Sequence, residues 1–117
     1  MPSAAITSPV TDDAQYASIL VAVSATTSRG SLTINSTDLS TNPVIDPQWL
    51  ATETDQQVAV QALKRAREIG QATGVVVGDE FAPGLGVKSD AEILAYIKRT
   101  LTTFHHAVGT CKWFLTD

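Results

Sequence analysis

Two stretches of the chain carry a helix start signal followed by apolar residues at helical spacing. Thr54 precedes Gln57 by three residues, and Ser89 precedes Glu92 by three residues, which is the spacing of a capping box. In such a box, side chains accept hydrogen bonds from backbone N–H groups that the first turn leaves without partners. Asp55 adds a negative charge near the positive end of the first helix dipole. We therefore predict that one helix begins at Thr54 and a second at Ser89.

The apolar residues after each start signal define the side of each helix that should face a core. We expect the first helix to end near Gly70 or Gly74. In the first helix, the residues predicted to be inward are Val58, Ala62, Ala66 and Ile69, with Leu63 at the edge, and in the second they are Ile93, Leu94, Ile97 and Leu101.

The segments outside the helices predict a small sheet. Residues 17–25 are rich in Val, Ile and Leu, as in a buried strand, whereas residues 31–36 alternate polar and apolar so that Leu32 and Ile34 would face a core. We expect these two strands to pair, residues 38–49 to form an ordered loop, and residues 75–77 to be a candidate short strand. The predicted fold is α+β, an antiparallel sheet with helices packed on it.

Charge and length exclude several classes of protein. The 117 residues carry a formal net charge of −4 with no run of basic residues, which argues against nucleic-acid or anionic membrane partners. The longest apolar run, residues 17–23, is far shorter than the ~20 residues of a membrane-spanning helix. The first ten residues do not resemble a signal peptide, and one cysteine allows no internal disulfide. The chain also contains a glycosylation sequon at residues 35–37, a triplet that is frequent by chance.

The densest cluster of chemically reactive side chains follows the second helix, at His105, His106 and Cys111. Histidines at a helix C-terminus are often there because imidazolium stabilises the helix dipole, but a histidine can also act as a general base near neutral pH. A metal site would lack a fourth ligand, and a nucleophilic Cys111 would need a base beside it. Gly84 and Gly86 lack the third glycine of a dinucleotide-binding loop.

Five pieces of the sequence, taken in order, resemble the C-terminal region of glucose-methanol-choline (GMC) oxidoreductases, and most closely their fungal alcohol oxidase and dehydrogenase branch. The resemblance extends over roughly residues 16–112. The pieces are residues 28–34, residues 43–50, Asp55 with Arg65 and Arg67, residues 80–84, and residues 106–112.

This resemblance implies an FAD-dependent oxidation of a small-molecule alcohol, in which hydride passes to the flavin. His106 matches the histidine that takes the hydroxyl proton, and His105 has at most a supporting role. Val108, Gly109 and Thr110 would lie near the cofactor. No metal is implied.

The chain also departs from the family pattern. It lacks the strand and Gly-rich loop that hold the ADP part of FAD, and it diverges after Lys112. Residues 1–117 therefore resemble a fragment, part of the substrate-binding domain. Secretion would follow only if the parent enzyme carries a signal peptide.

Three hypotheses follow for the function. The chain is an incomplete piece of an alcohol oxidoreductase, a degenerate module that binds a ligand or partner without redox chemistry, or part of a relative that catalyses a non-redox ring closure or dehydration. For a fragment with unpartnered apolar surface, we expect marginal stability or self-association.

Overall fold

A computed structural model describes residues 13–105 of the chain. In chain order its elements are the strands β1 (Ser31–Thr33) and β2 (Val44–Asp46) and the helices α1 (Glu53–Ala72) and α2 (Asp90–Thr100). The predicted α+β class is confirmed. The packing between elements joins α1 to α2 and β1 to β2, so in this part of the chain the helices pack on each other rather than on the sheet.

The N-cap of helix α1 lies two residues before the predicted one. It is Thr52, whose hydroxyl accepts a hydrogen bond from the Asp55 N–H at 3.3 Å. Thr54 lies inside the first turn of the helix. The Gln57 side chain donates to Glu53 Oε1 and does not form the predicted capping box with Thr54. The predicted end is confirmed, because the helix stops at Ala72, between the two candidate glycines.

Helix α2 begins with the predicted capping box. The Ser89 hydroxyl accepts from the Glu92 N–H at 3.3 Å, and Glu92 Oε2 accepts from the Ser89 N–H at 2.9 Å. Lys98 and Arg99 lie in the last turn, where positive charge stabilises the negative end of the helix dipole.

The buried side of α1 differs from the predicted one. Val58 and Ile69 are exposed, while Asp55 and its neighbour one turn later, Ala59, are buried together with Val60. Asp55 accepts hydrogen bonds from residues 27 and 28, so the side of α1 that carries Asp55 lies against that segment. Among the described residues the buried apolar side chains are Leu50, Ala59, Val60 and Ile93.

The predicted inward side of α2 is confirmed near the start of the helix, and the burial of its residues decreases toward the end. Ile93 is fully buried, Leu94 and Ile97 are half-buried, and Leu101 is exposed.

The sheet consists of two antiparallel strands. Strand β1 does not pair with residues 17–25, as predicted, but with β2. Strand β1 pairs with β2 in the register Ser31 to Asp46, Leu32 to Ile45 and Thr33 to Val44. The prediction that residues 38–49 hold no strand is therefore wrong, because the β-branched pair Val44 and Ile45 extends beside β1. Leu32 and Ile34 face solvent rather than a core.

The apolar segment that was predicted as a buried strand, residues 17–25, forms no strand and is largely exposed. A strand needs a neighbour to receive its hydrogen bonds, and within residues 13–105 no strand lies beside this segment. It touches α1 through Ile19, whose Cδ1 lies 3.4 Å from where a Cβ on Gly70 would be. Residues 75–77, the other candidate strand, are also irregular and exposed.

The described chain is open in shape. Its radius of gyration is 18.0 Å, whereas a compact domain of about 100 residues has one of about 13 Å. Neither of the helices in residues 13–105 has the length and apolar character to cross a membrane.

Candidate functional site

The residues predicted to carry the chemistry, His106 with Val108, Gly109 and Thr110, lie outside the described residues, as does Cys111. Their roles stay predictions.

The last described residues, 101–105, follow the end of helix α2. Helix α2 ends at Thr100, and Leu101 turns to an extended conformation with φ −56° and ψ 135°. His105 is exposed, and its backbone adopts a left-handed conformation with φ 60°. The His105 N–H donates to Thr103 Oγ1 at 3.1 Å. A non-glycine residue in this region is uncommon and marks a sharp local change of direction. Helix α2 therefore does not continue to residue 105, the last described residue.

The most completely hydrogen-bonded group among the described residues is a set that we call the Asp55 junction: Thr27, Ser28, Thr52 and Asp55. Asp55 as a whole residue is only 1% exposed. Its Oδ1 accepts from both the N–H and the hydroxyl of Thr27 at 2.8 Å, and its Oδ2 accepts from the Ser28 N–H at 2.8 Å. The junction thereby fastens the segment before β1 to the first turn of α1.

The hydroxyls of the junction complete the arrangement. Ser28 Oγ accepts from the N–H groups of Ala51 and Thr52 at 3.0 and 3.2 Å, and the hydroxyls of Thr27 and Thr52 are 2.6 Å apart. Hydrogen bonding from the Ser28 side chain, followed by the Thr27 N–H, holds the pKa of the Asp55 carboxyl well below its usual range. An ionised carboxylate whose two oxygens are both engaged is suited to hold the backbone in place, not to exchange protons near neutral pH.

A second polar contact, which we call the Arg67 clamp, joins α1 to the loop that follows it. Arg67 Nε donates to Glu80 Oε1 at 3.0 Å and to Oε2 at 3.1 Å, and Arg67 Nη2 lies 2.9 Å from Oε2. The same Nη2 donates to the Gly84 carbonyl at 3.4 Å. Both side chains are about three-quarters buried, which protects the pair from solvent screening.

Residues 28–34, the first of the five pieces that carry the family resemblance, also have a structural role. A Cβ on Gly30 would lie 2.7 Å from the Pro47 carbonyl carbon, and closer still to the carbonyl oxygen of Asp46. The backbone of β2 can approach β1 only because residue 30 has no side chain. Arg29 folds back to donate to the carbonyls of Thr26 and Ser28 at 2.8 and 2.9 Å.

Four of the five sequence pieces that carry the family resemblance are therefore joined to one another within the described chain. Gly30 lies against residues 46–47, Ser28 binds Asp55, and Arg67 binds Glu80. We call these four connected pieces the frame. The fifth piece, residues 106–112, carries the predicted chemistry.

Sequence reasoning assigned Asp55 only a charge effect in the first turn and missed its role as an anchor. The spacing Thr52 to Asp55 is itself a capping pattern, a hydroxyl residue followed three positions later by a carboxylate, and it lay two residues before the one chosen. No local signal indicated that Thr27 and Ser28 would supply the donors, because they lie 28 and 27 residues away in sequence.

The described surface includes two shallow hollows. One, of about 230 Å³, lies between the N-terminal halves of α1 and α2 and is lined by Gln56, Gln57 and Asp90 among others. The other, of about 220 Å³, lies inside the connection between β1 and β2, against Leu32 and Leu39. Both are smaller than the roughly 300–1,000 Å³ of typical ligand pockets. The described residues contain no group of three or more His, Cys, Asp or Glu side chains able to hold a metal ion.

Comparison with known proteins gives a consistent set of relatives. A family model for a C-terminal domain, described as GMC oxidoreductase, matches residues 26–113. Versicolorin B synthase of Aspergillus parasiticus is 43% identical over 106 residues, which cover 88% of this chain. Patulin synthase of Penicillium expansum is 39% identical over 109 residues, and the dehydrogenase pkfF of Emericella nidulans is 38% identical over 98 residues, covering 91% and 83% of this chain.

The matched stretch is a small part of each relative. It corresponds to 16% of versicolorin B synthase, 17% of patulin synthase and 16% of pkfF, so the chain spans about one-sixth of the length of these proteins. The family match covers most of the chain and includes every sequence piece on which the resemblance depends. The chain therefore belongs to the GMC oxidoreductase family and represents a fragment from its C-terminal domain.

Proposed function

We propose that this chain is the part of an FAD-dependent alcohol oxidoreductase that supplies the catalytic base, with His106 in that role. The observation that carries the proposal is the family match, which spans residues 26–113 and so includes the Asp55 junction, the Arg67 clamp and His106. The family implies FAD in the parent enzyme. The substrate class would be a small molecule with a CH–OH group.

The chemistry requires a group that takes the hydroxyl proton as the carbon is oxidised. A neutral imidazole is suited to this, since its ordinary pKa lies near 6.5 and it can accept a proton at physiological pH. Removal of the proton from the oxygen avoids a high-energy cation on the substrate. His105, exposed and at a turn, provides a natural comparison for His106.

In this proposal the flavin site is completed by residues outside 13–105 and by the rest of the parent enzyme. Two hollows on the described surface, of about 230 and 220 Å³, are each smaller than pockets that enclose a ligand the size of FAD. In the proposal, Val108, Gly109 and Thr110 lie beside the cofactor, where a glycine lets the backbone approach a ligand closely. FAD in the whole enzyme would serve as the electron acceptor.

The two other hypotheses differ from this one in a measurable way. A degenerate module would preserve the frame but support no turnover. A non-redox relative would convert its substrate without reducing a flavin. The relatives include proteins named as synthases and as dehydrogenases, so similarity alone favours no single reaction.

A chimera tests the proposal. The matching stretch of Penicillium expansum patulin synthase, 39% identical to this chain, is replaced by the corresponding residues of this chain. We then compare the chimera with its His106→Ala variant and with His105→Ala as the matched control. Turnover to patulin is measured together with the visible flavin spectrum.

We expect His106→Ala to lower turnover by about 10²-fold or more with the flavin spectrum unchanged, because general-base catalysis contributes about 10²–10⁴-fold. His105→Ala should remain within a few fold of the chimera. Equal turnover in the chimera and its His106→Ala variant would remove the base assignment. A chimera that holds flavin but supports no turnover would favour the degenerate module.

A further inference from the structure

The connection between β1 and β2 contains the one N-glycosylation sequon of the chain, Asn35-Ser36-Thr37. The only other asparagine, Asn42, is followed by Pro43 and has no hydroxyl residue two positions later. We propose that Asn35 is the acceptor of an N-linked glycan when the chain enters the secretory pathway.

The geometry of the sequon supports this proposal. Residues 34–37 directly follow β1 in irregular backbone, and the side chains of Asn35 and Thr37 are exposed. Neither side chain makes a hydrogen bond to any residue within 13–105. A glycan needs a surface position, because it is bulky and strongly hydrated. The two residues that define a sequon are therefore both accessible.

The middle residue of the sequon has a different role from the outer two. Ser36 is half-buried, and its hydroxyl accepts from the Asp38 N–H at 3.0 Å. Asp38 in turn accepts from the Ser40 N–H at 2.9 Å, and its carbonyl accepts from the Thr41 N–H at 3.0 Å. These bonds close a turn immediately after the sequon and place it at the end of a supported loop.

The reaction is a group transfer from a lipid-pyrophosphate-linked oligosaccharide. A bond forms between Asn35 Nδ2 and the anomeric carbon of the first sugar, and the bond from that carbon to the pyrophosphate oxygen breaks. The amide nitrogen loses one proton, and the lipid pyrophosphate leaves with the electron pair of the broken bond. No oxidant or reductant is needed.

The surface around Asn35 suggests what the glycan would do. Ile34 is 81% exposed and Leu39 is fully exposed, and both border the hollow of about 220 Å³ in this connection. Exposed apolar side chains of this size promote association. A hydrated glycan on Asn35 would shield them and keep the hairpin from pairing with other chains.

The experiment uses the whole 117-residue chain, secreted from yeast behind a cleavable leader. Its electrophoretic mobility is compared before and after treatment with peptide-N-glycosidase, and mass spectrometry identifies the asparagine that the enzyme converts to aspartate. The variants are Asn35→Gln, Thr37→Ala and the matched control Thr37→Ser, which keeps the hydroxyl.

We expect a glycosidase-sensitive shift in the parent chain and in Thr37→Ser, and complete loss of the shift in Asn35→Gln and Thr37→Ala. The microsomal fraction is analysed in the same way, so that a variant that folds poorly and is not secreted is still scored. A parent chain that reaches the medium or the protease-protected microsomal pool without the shift would overturn the proposal.

Discussion

The Asp55 junction and the connection between β1 and β2 lie close together in sequence but are built in opposite ways. In the junction, the carboxylate of a residue that is 1% exposed has both oxygens hydrogen-bonded to residues more than 25 positions away. In the connection, Ile34 and Leu39 project into solvent, and the hydrogen bonds are local. A polar anchor can be completed inside a short chain because it needs a few donors. An apolar surface needs a large area of partner, and the described residues do not supply one.

The largest effect should come from removing the anchor. Asp55→Ala leaves the N–H groups of Thr27 and Ser28 without their acceptor, and it frees the segment before β1 from α1. We expect complete loss of hydrogen-exchange protection at these two amides and a lower unfolding midpoint in urea. The control is Asp38→Ala, which removes only local bonds to Ser40. If the protection of Thr27 and Ser28 survives in Asp55→Ala, the junction is not the anchor.

The second largest effect should come from the small apolar core. Ile93 is fully buried between the helices, and Ile93→Ala would leave a cavity there. We expect a loss of about 2–4 kcal/mol in the free energy of unfolding, measured by urea denaturation followed by circular dichroism. Leu101→Ala, at an exposed position, should cost less than half as much. Equal costs at the two positions would mean that the helix pair has no distinct core.

A smaller effect is expected where the two strands approach. Gly30→Ala would place a methyl group 2.7 Å from the Pro47 carbonyl carbon, and the backbone must shift to accommodate it. We expect a cost of about 1–3 kcal/mol, as for other overpacked sites. Gly86→Ala meets open space and should stay within about 0.5 kcal/mol of the parent chain. The same urea titration compares the two, and a neutral Gly30→Ala would show that the hairpin is not closely packed.

The ionisation of the junction predicts how stability changes in acid. The pKa of Asp55 is lowered in the folded chain, so its contribution to stability is fully present above the ordinary Asp value of about 3.9. It is lost as the pH falls below that value toward the folded pKa. Urea midpoints measured between about pH 2 and 6 should therefore depend less steeply on pH in Asp55→Asn than in the parent chain. If the plots of urea midpoint against pH are parallel for the two chains, the pKa of Asp55 is not lowered by folding.

The smallest effect on stability should come from a change in the connection between β1 and β2. Leu39→Ser changes a fully exposed side chain, so the free energy of unfolding should change by no more than about 0.5 kcal/mol. Self-association of the unglycosylated chain, measured by sedimentation velocity, should nevertheless decrease, because one exposed apolar group is removed. A large loss of stability in Leu39→Ser would show that this surface is already covered within the chain.

Local signals in the sequence predicted the helices well. Ser89 and Glu92 form the predicted capping box because both partners lie within one turn, and the end of α1 between Gly70 and Gly74 follows from the same local chemistry. The N-cap of α1 was placed two residues late, since Thr52 and Thr54 both offer a hydroxyl and it is Thr52 that accepts from the Asp55 N–H.

Features that depend on distant partners were not predictable in the same way. Residues 17–25 have the composition of a buried strand, but composition cannot show whether a neighbouring strand exists. Val44 and Ile45 pair with β1 although prolines flank them, because Pro43 and Pro47 lie just outside the paired residues. The roles of His106, Val108, Gly109 and Thr110 were inferred from family resemblance, and they concern residues beyond those described.

The Arg67 clamp has a consequence for where this chain can be lengthened. Arg67 and Glu80 are 13 positions apart, and the clamp fixes the two ends of the segment between them. Within that interval, residues 75–77 are exposed, and Gly74 and Gly78 on either side have φ values of 67° and 108°. Doubling the length of a flexible loop costs only about 0.6 kcal/mol in closure entropy. Insertions at this tip would therefore leave the frame intact, and the tip is a suitable place to attach a tag or a reporter peptide.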